Sequence, residues 1–193
     1  MDWSIILSSC IVAGTTIVSI VIKELLQKRA AKKEHCIVTY TKQNNNIQKA
    51  IDYLLSELNA SRVHVYEFHN GDHFYSGGSQ QKFSCTYESL AAGVSAESLN
   101  LQNLRISTFN NFIEQTIQDG GFSLETLDKC DTLLCKNWFD ARGVHSSYAV
   151  AIRTLNKSII GILSIDFNHK QKITKEQQKL LFTQSIIISG YLI

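Results

Sequence analysis

The chain has 193 residues, 44% of them hydrophobic, with 19 Lys and Arg against 17 Asp and Glu. That balance excludes a protein that holds nucleic acid on a strongly basic surface, and five cysteines, an odd number, argue against a disulfide framework. With an apolar amino-terminal segment set aside, the length leaves one domain of about 150 residues, enough for a single core.

Ser4 to Ile22 is a run of nineteen uncharged, mostly apolar residues, which at about 1.5 Å per residue spans roughly the 30 Å thickness of a bilayer's hydrocarbon. Residues 1–22 are therefore expected to form a single-pass transmembrane anchor, with Trp3 at the interface. Only Met1, Asp2 and Trp3 precede the run, so it lacks the basic start of a cleaved signal peptide. Leu7-Ser8-Ser9-Cys10 is similar to a lipobox, but the apolar run continues past Cys10. Residues 23–35 hold five basic and two acidic side chains, whereas residues 36–193 hold fourteen of each. The basic excess is thus juxtamembrane. It predicts a linker helix over 23–42, the amino terminus outside and the domain in the cytoplasm, at the inner membrane. The same segment suits attraction to anionic lipid.

The folded domain is expected over 43–193. Ile47, Ile51, Leu54, Leu55 and Leu58 recur at helical spacing and make one apolar face, with a weaker interval of β-branched residues near Cys36–Thr41. Arg62–His69 reads as the first strand. The next residues, Asn70-Gly71-Asp72-His73 and Tyr75 to Ser79, read as a polar loop that leaves the sheet. The second strand, Lys82–Leu90, alternates, with Phe83, Cys85 and Tyr87 on one face and Lys82, Ser84, Thr86 and Glu88 on the other. Such a polar face on a central strand is either wet or turned to a ligand. His69, Asn70, Gly71, Lys82, Ser84, Thr86 and Glu88 are therefore the candidate ligand-binding residues; an internal hydrogen-bond network that fixes the loop is the alternative.

Residues 95–119 read as mostly helical and closed by Gly120-Gly121, Phe122–Leu127 as a short third strand, and Asp131–Ala141 as a helix that buries Leu133, Leu134, Trp138 and Phe139. Ser146–Arg153 and Ile159–Phe167 are strand runs joined by a turn at Asn156-Lys157, a hairpin whose nearly continuous apolar character predicts cover on both faces. A final helix, Lys175–Leu192, starts at a Thr174 cap and is expected to turn Leu180, Leu181, Ile186, Ile187 and Ile188 inward.

The end of a short helix at Gly143-Val144, Ser146 at a strand start, the strand Ile159 to Phe167 and the Thr174-x-Glu176-x-x-x-Leu180 opening of the last helix resemble the carboxy-terminal half of a GAF domain. The resemblance covers about residues 130 to 193 and, through element order, reaches back to about residue 43. It implies an α+β, α/β/α layered fold of GAF/PAS type, an antiparallel sheet with helices on both faces, behind one transmembrane helix. It also implies a lid over residues 95–140 and a homodimer contact through 43–58. The Phe68-His69-Asn70-Gly71 stretch with the Lys82 to Glu88 strand resembles small uncharacterised GAF-like proteins of bacteria and phages, where His69, Asn70, Gly71 and Glu88 would mark a polar constellation.

What this implies is a sensory or binding module that takes a small molecule or a partner protein, not a reaction. A phage-encoded structural or virion assembly component, using the fold as scaffold, is the alternative. A cysteine-based reductase of free methionine sulfoxide is a minor one, since Cys85 and Cys130 could lie near a pocket but the cysteine-bearing loop pattern of that family is missing. Neither a cyclic-nucleotide signature nor a Cys-His bilin context occurs. No metal site is expected, because Cys130 and Cys135 lack two further ligands nearby and His69 and His73 lie in a loop. The cofactor stays open.

Overall fold

The computed structural model describes residues 3–73, 79–118 and 120–193. A helix, α1, spans Trp3–Leu58, and the chain forms two compact units, Met1–Gln43 and Asn44–Ile193. In the first unit most side chains of the expected anchor and linker lie outside the described set; of those described, Val18, Ile20, Val21, Ile37, Val38 and Tyr40 are exposed. Among the described residues no helix is long and apolar enough to cross a membrane.

The second unit is built on a six-stranded antiparallel sheet. Its strands are β1 (Arg62–His73), β2 (Ser79–Leu90), β3 (Leu104–Arg105), β4 (Phe122–Leu124), β5 (Ser146–Arg153) and β6 (Ile159–Phe167), in the order β3-β2-β1-β6-β5-β4. The helices are α2 (Asn110–Ile117), α3 (Leu133–Asp140) and α4 (Lys175–Leu192), besides the end of α1. Strict alternation along β1 sends Val63 and Val65 to one face and His64 and Tyr66 to the other. On the first face Ile47, Ile51, Leu54 and Leu58 of α1 share a core with Leu181 and Ile188 of α4. On the second, α2 and α3 form a lid whose Phe112 and Phe139 pack with Tyr66, Phe83, Ile162 and Phe122 of the edge strand β4. The α1 helix ends because Asn59 takes a left-handed φ of 50° and the Ala60 N–H closes on the Leu55 carbonyl at 3.1 Å.

The β5–β6 hairpin forms as the sequence indicates, buried on both faces, with its turn closed by Thr154 N–H on the Ser158 carbonyl at 2.9 Å. Helix α4 starts at the expected cap, where Thr174 and Gln177 satisfy one another's backbone N–H. Its inward face differs from expectation. Leu181, Gln184, Ser185, Ile188 and Ser189 are buried, while Ile186 is 68% and Ile187 42% exposed. Three consecutive isoleucines cannot share one face of a 3.6-residue helix, and the stripe that begins at Leu181 selects only Ile188. Gly190, in the last turn, has open space where a Cβ would stand. Gly190→Ala is expected to stabilise by about 1 kcal/mol through helix propensity, readable in thermal unfolding.

Four further expectations are corrected. Asn70 to His73 do not leave the sheet: they continue β1 and pair with β2 as far as His73–Ser79, so only the tip expected at Tyr75 to Gly78 falls outside the described residues. Residues 95–105 are not helical, and helical structure begins only with a 3-10 turn at Ile106–Phe109 that leads into α2. Asn103 has a φ of 56°, and the segment is tied along β2 by bonds such as Cys85 N–H to the Leu101 carbonyl, 2.8 Å, in place of its own helical ladder. The third expected strand, Phe122–Leu127, ends at Leu124. In α3 only Phe139 is fully buried, while Leu133 and Leu134 are exposed, because the short helix meets the sheet only with its carboxy-terminal turn.

Candidate functional site

The sequence-predicted site residues do not share one face. Between Val65 and Tyr66 the β1–β2 register shifts: Tyr87 pairs with Val65 and Cys85 with Tyr66, leaving Thr86 as the extra residue of a β-bulge. The bulge divides the expected K-x-S-x-T-x-E face. Lys82 and Ser84 oppose His69 and Glu67 on the Val65 side, whereas Glu88 opposes His64 on the lid side. Tyr87 moves the other way, onto the α1 core and the Asn44 side chain. His69 Nε2 lies 2.8 Å from Ser84 Oγ, which also accepts the Asn103 N–H at 2.8 Å. Asn70 and Thr86 are exposed, and Gly71 lies in β1 at the irregular step between the Asn70–Gln81 and His73–Ser79 pairs. His69 and Ser84 thus fix the ribbon and the loop before β3.

The lid-side face carries a second set of polar side chains, and these are buried. Arg62, His64, Arg142 and Asp166 are 4%, 0%, 8% and 1% exposed. His64 Nε2 lies 3.2 Å from Glu88 Oε1 and His64 Nδ1 3.6 Å from Asp166 Oδ2. Arg142 Nη1 donates to the same Asp166 oxygen at 3.4 Å, and Ser147 donates to its neighbour at 2.6 Å. Arg142 arrives at the carboxy-terminal end of α3, its guanidinium 3.9 Å above the Trp138 ring. Arg62 donates to the Arg142 and Ser95 carbonyls, joining the first residue of β1 to both lid loops. Two arginines face two carboxylates, so the charges offset one another, as burial requires.

Within this cluster His64 Nδ1, Tyr66 Oη and Arg142 Nη2 are buried and make no close, well-aligned hydrogen bond, although His64 Nδ1 faces Asp166 Oδ2 at 3.6 Å and the Tyr66 hydroxyl lies within reach of the Arg142 guanidinium. The His64 and Tyr66 rings stand 5.6 Å apart, and the Arg142 guanidinium acts on the Tyr66 hydroxyl. Burial pushes that hydroxyl far above the ordinary tyrosine value, partly opposed by Arg142. Burial would also raise the Glu88 carboxyl. The His64 ring and the backbone N–H groups of Glu97 and Ser98, at 2.9 and 3.1 Å, outweigh it and bring Glu88 down to about 2.

A carboxylate held below its ordinary value stabilises the fold above that value and ceases to do so when it is protonated. Glu88 stands at about 2 against 4.5, so its contribution, about 1–2 kcal/mol once solvent screening is allowed for, is full above about pH 4.5 and is lost as the pH falls through about 2. Urea unfolding at pH 5 and pH 2.5 is expected to show this loss in the wild type, and a smaller one in Glu88→Gln.

Among the described residues the thiols of Cys85, Cys130 and Cys135 are held in their protonated form. Burial pushes Cys85 and Cys135 each up to about 12, helped by Glu88 for the first and Cys130 for the second, and burial also raises Cys130. Among the described residues no three His, Cys, Asp or Glu side chains are placed to hold a metal ion. Two shallow clefts of about 190 and 240 Å³ open on the outside of the lid, sharing Asn111, Phe112, Thr132 and Cys135.

Arg62, His64, Tyr66, Arg142 and Asp166 were missed by sequence reasoning, yet a signal existed. A strand covered on both faces, such as Ile159–Phe167, tolerates an aspartate only if a cation meets it.

A curled antiparallel sheet between a helical layer and a lid is the arrangement of GAF domains, and the chain has a GAF-like fold. The GAF3 domain of Slr1393 from Synechocystis sp. PCC6803, in its photoproduct state, matches with a TM-score of 0.60 at 12% identity, over 78% of this chain and 92% of that one. The phycoerythrobilin-bound GAF domain of a cyanobacterial phytochrome matches at 0.56 and 12% identity, over 80% and 92%. A domain of a two-component sensor histidine kinase protein from Sinorhizobium meliloti 1021 matches at 0.54 and 10% identity, over 75% and 86%. No family model matches the sequence, and no match was found among curated proteins.

Proposed function

We propose that this chain is a membrane-tethered, non-catalytic binding module of GAF-like fold, which holds a small polar molecule between sheet and lid. The observation that carries this reading is the gathering of His64, Tyr66 and Arg142 on the lid-side face, where His64 Nδ1, Tyr66 Oη and Arg142 Nη2 are buried and make no close, well-aligned hydrogen bond. Such atoms are costly to leave unpaired and are found where a native site uses them. The tether is the run 4–22, with the basic segment 23–35 directing the domain to the cytoplasm. A homodimer through 43–58 suits the exposed Tyr53 there.

His69, Asn70, Gly71 and Lys82 are assigned to a protein partner, whereas Ser84 and Thr86 lie where β1 is still paired with β6. The support is that β1 pairs with β2 as far as His73 but with β6 only as far as Glu67, so the ribbon projects beyond the sheet. A bilin such as the cyanobacterial neighbour holds is not the ligand proposed, because Phe83, Phe109, Phe112, Phe122, Trp138 and Phe139 pack tightly on the lid side. That same packing favours the second reading, a scaffold or virion component that binds no small molecule.

Native mass spectrometry of the full chain, released from detergent after exposure to an extract of its source cells, separates the two. The binding reading predicts a small-molecule adduct. A chain that stays at its own mass points to the scaffold.

A further inference from the structure

Cys130 and Cys135 flank the start of α3. Cys130 follows directly on the short 3-10 turn Leu127–Lys129, and Cys135 lies in the first turn of the helix, where its N–H donates to the Thr132 hydroxyl oxygen at 3.2 Å. Both thiols are free, half-buried and within reach of one another. Both pack against the lid-side core and both line the cleft of about 240 Å³, so one opening leads a small reagent to either sulfur. The residues between them, Asp131, Thr132, Leu133 and Leu134, are all exposed. The short ring that a bond would close can therefore adjust without breaking core packing. Cys85, buried on β2 and donating to the Tyr87 carbonyl, shares none of these features.

We propose that Cys130 and Cys135 are a redox-modification site, forming a reversible intrachain disulfide by exchange with a low-molecular-weight disulfide such as oxidised glutathione that enters the cleft. Cys130 Sγ, as thiolate, attacks one sulfur of the reagent; a mixed disulfide forms, and one small thiol leaves with the proton that Cys130 loses. Cys135 Sγ then attacks Cys130 Sγ, the mixed S–S bond breaks, and a second small thiol leaves with the Cys135 proton. The protein dithiol gives up two electrons and the reagent accepts them. Cys130 attacks first because burial raises it less than Cys135, which stands at about 12. Such values slow the exchange, but they also leave the reduced pair without a stabilised thiolate to favour it over the disulfide. The bond ties the segment after β4 to α3, which carries Trp138 and Phe139 of the lid-side core, and so fixes the lid. The site is independent of any ligand held between sheet and lid.

The test incubates the full chain in detergent with oxidised or with reduced glutathione, then alkylates it and cuts it with trypsin, which releases residues 130–136 as one peptide holding both cysteines and no third. After oxidised glutathione the wild-type peptide is expected two hydrogens lighter and free of alkyl groups; after reduced glutathione it carries two. Cys135→Ser should instead retain glutathione on Cys130. The oxidised wild type is expected to unfold about 4 °C above the reduced form, a difference that Cys135→Ser lacks. Two alkyl groups after oxidised glutathione, glutathione that stays on the wild-type peptide, or a disulfide from Cys130 or Cys135 to a second chain overturns the proposal. So does an oxidised wild type that unfolds no higher than the reduced form.

Discussion

Asp166→Ala is expected to destabilise the domain by about 3–5 kcal/mol, the range for removing one partner of a buried ion pair. Asp166 is 1% exposed and, among the described residues, is the single carboxylate in contact with Arg142, whose guanidinium is itself buried. Its loss strands that cation and removes the acceptor of the Ser147 hydroxyl. The charge balance of the cluster is lost as well, because Arg62 and Arg142 would face Glu88 alone. Asp166→Asn keeps the shape and one acceptor, so it should cost less than the alanine. Urea unfolding of the two variants and the wild type at pH 7 reads the order directly: wild type, then asparagine, then alanine.

The second large effect is steric. Gly161 faces Glu67 across the β1–β6 pair at the middle of the sheet, and a Cβ there would stand 2.2 Å from the Tyr66 carbonyl oxygen. The obstacle is backbone, which cannot rotate aside as a side chain can. Gly161→Ala must push the two central strands apart, at a cost of about 3 kcal/mol or more. Tyr66 would move with its carbonyl, so the variant should also lose the adduct, and thermal unfolding with native mass spectrometry checks both. Gly190→Ala, with open space around it, serves as the contrast of opposite sign.

The parts of the fold legible in the sequence are those with local causes. The β5–β6 hairpin follows from two apolar runs and a polar turn, the α4 start from Thr174 and Gln177, and the α1 core face from the spacing of Ile47, Ile51, Leu54 and Leu58. The β-bulge at Thr86 has no such signature. One extra residue leaves the alternation of Lys82 to Glu88 intact on paper while it turns Glu88 to the lid and Tyr87 to α1. The loop before β3 was read as helix because its apolar spacing suits one, but Asn103 and the carboxylate of Glu88, which holds Glu97 and Ser98, set its path. These are contacts between distant residues, and no periodicity encodes them.

The polar centre was half legible. Arg62, His64 and Asp166 stand in strands that otherwise read as apolar, and charge in such a strand demands a partner nearby. What the sequence does not show is which face each takes, and that Arg142, from the end of α3, completes the set.

The central claim is that a ligand sits where His64, Tyr66 and Arg142 converge. A crystal structure of the full chain purified from its source cells tests it most directly. The account predicts density larger than a single water within about 3 Å of His64 Nδ1, Tyr66 Oη and Arg142 Nη2. Density for an isolated water, or the three atoms bonded to one another beneath a closed lid, would contradict it.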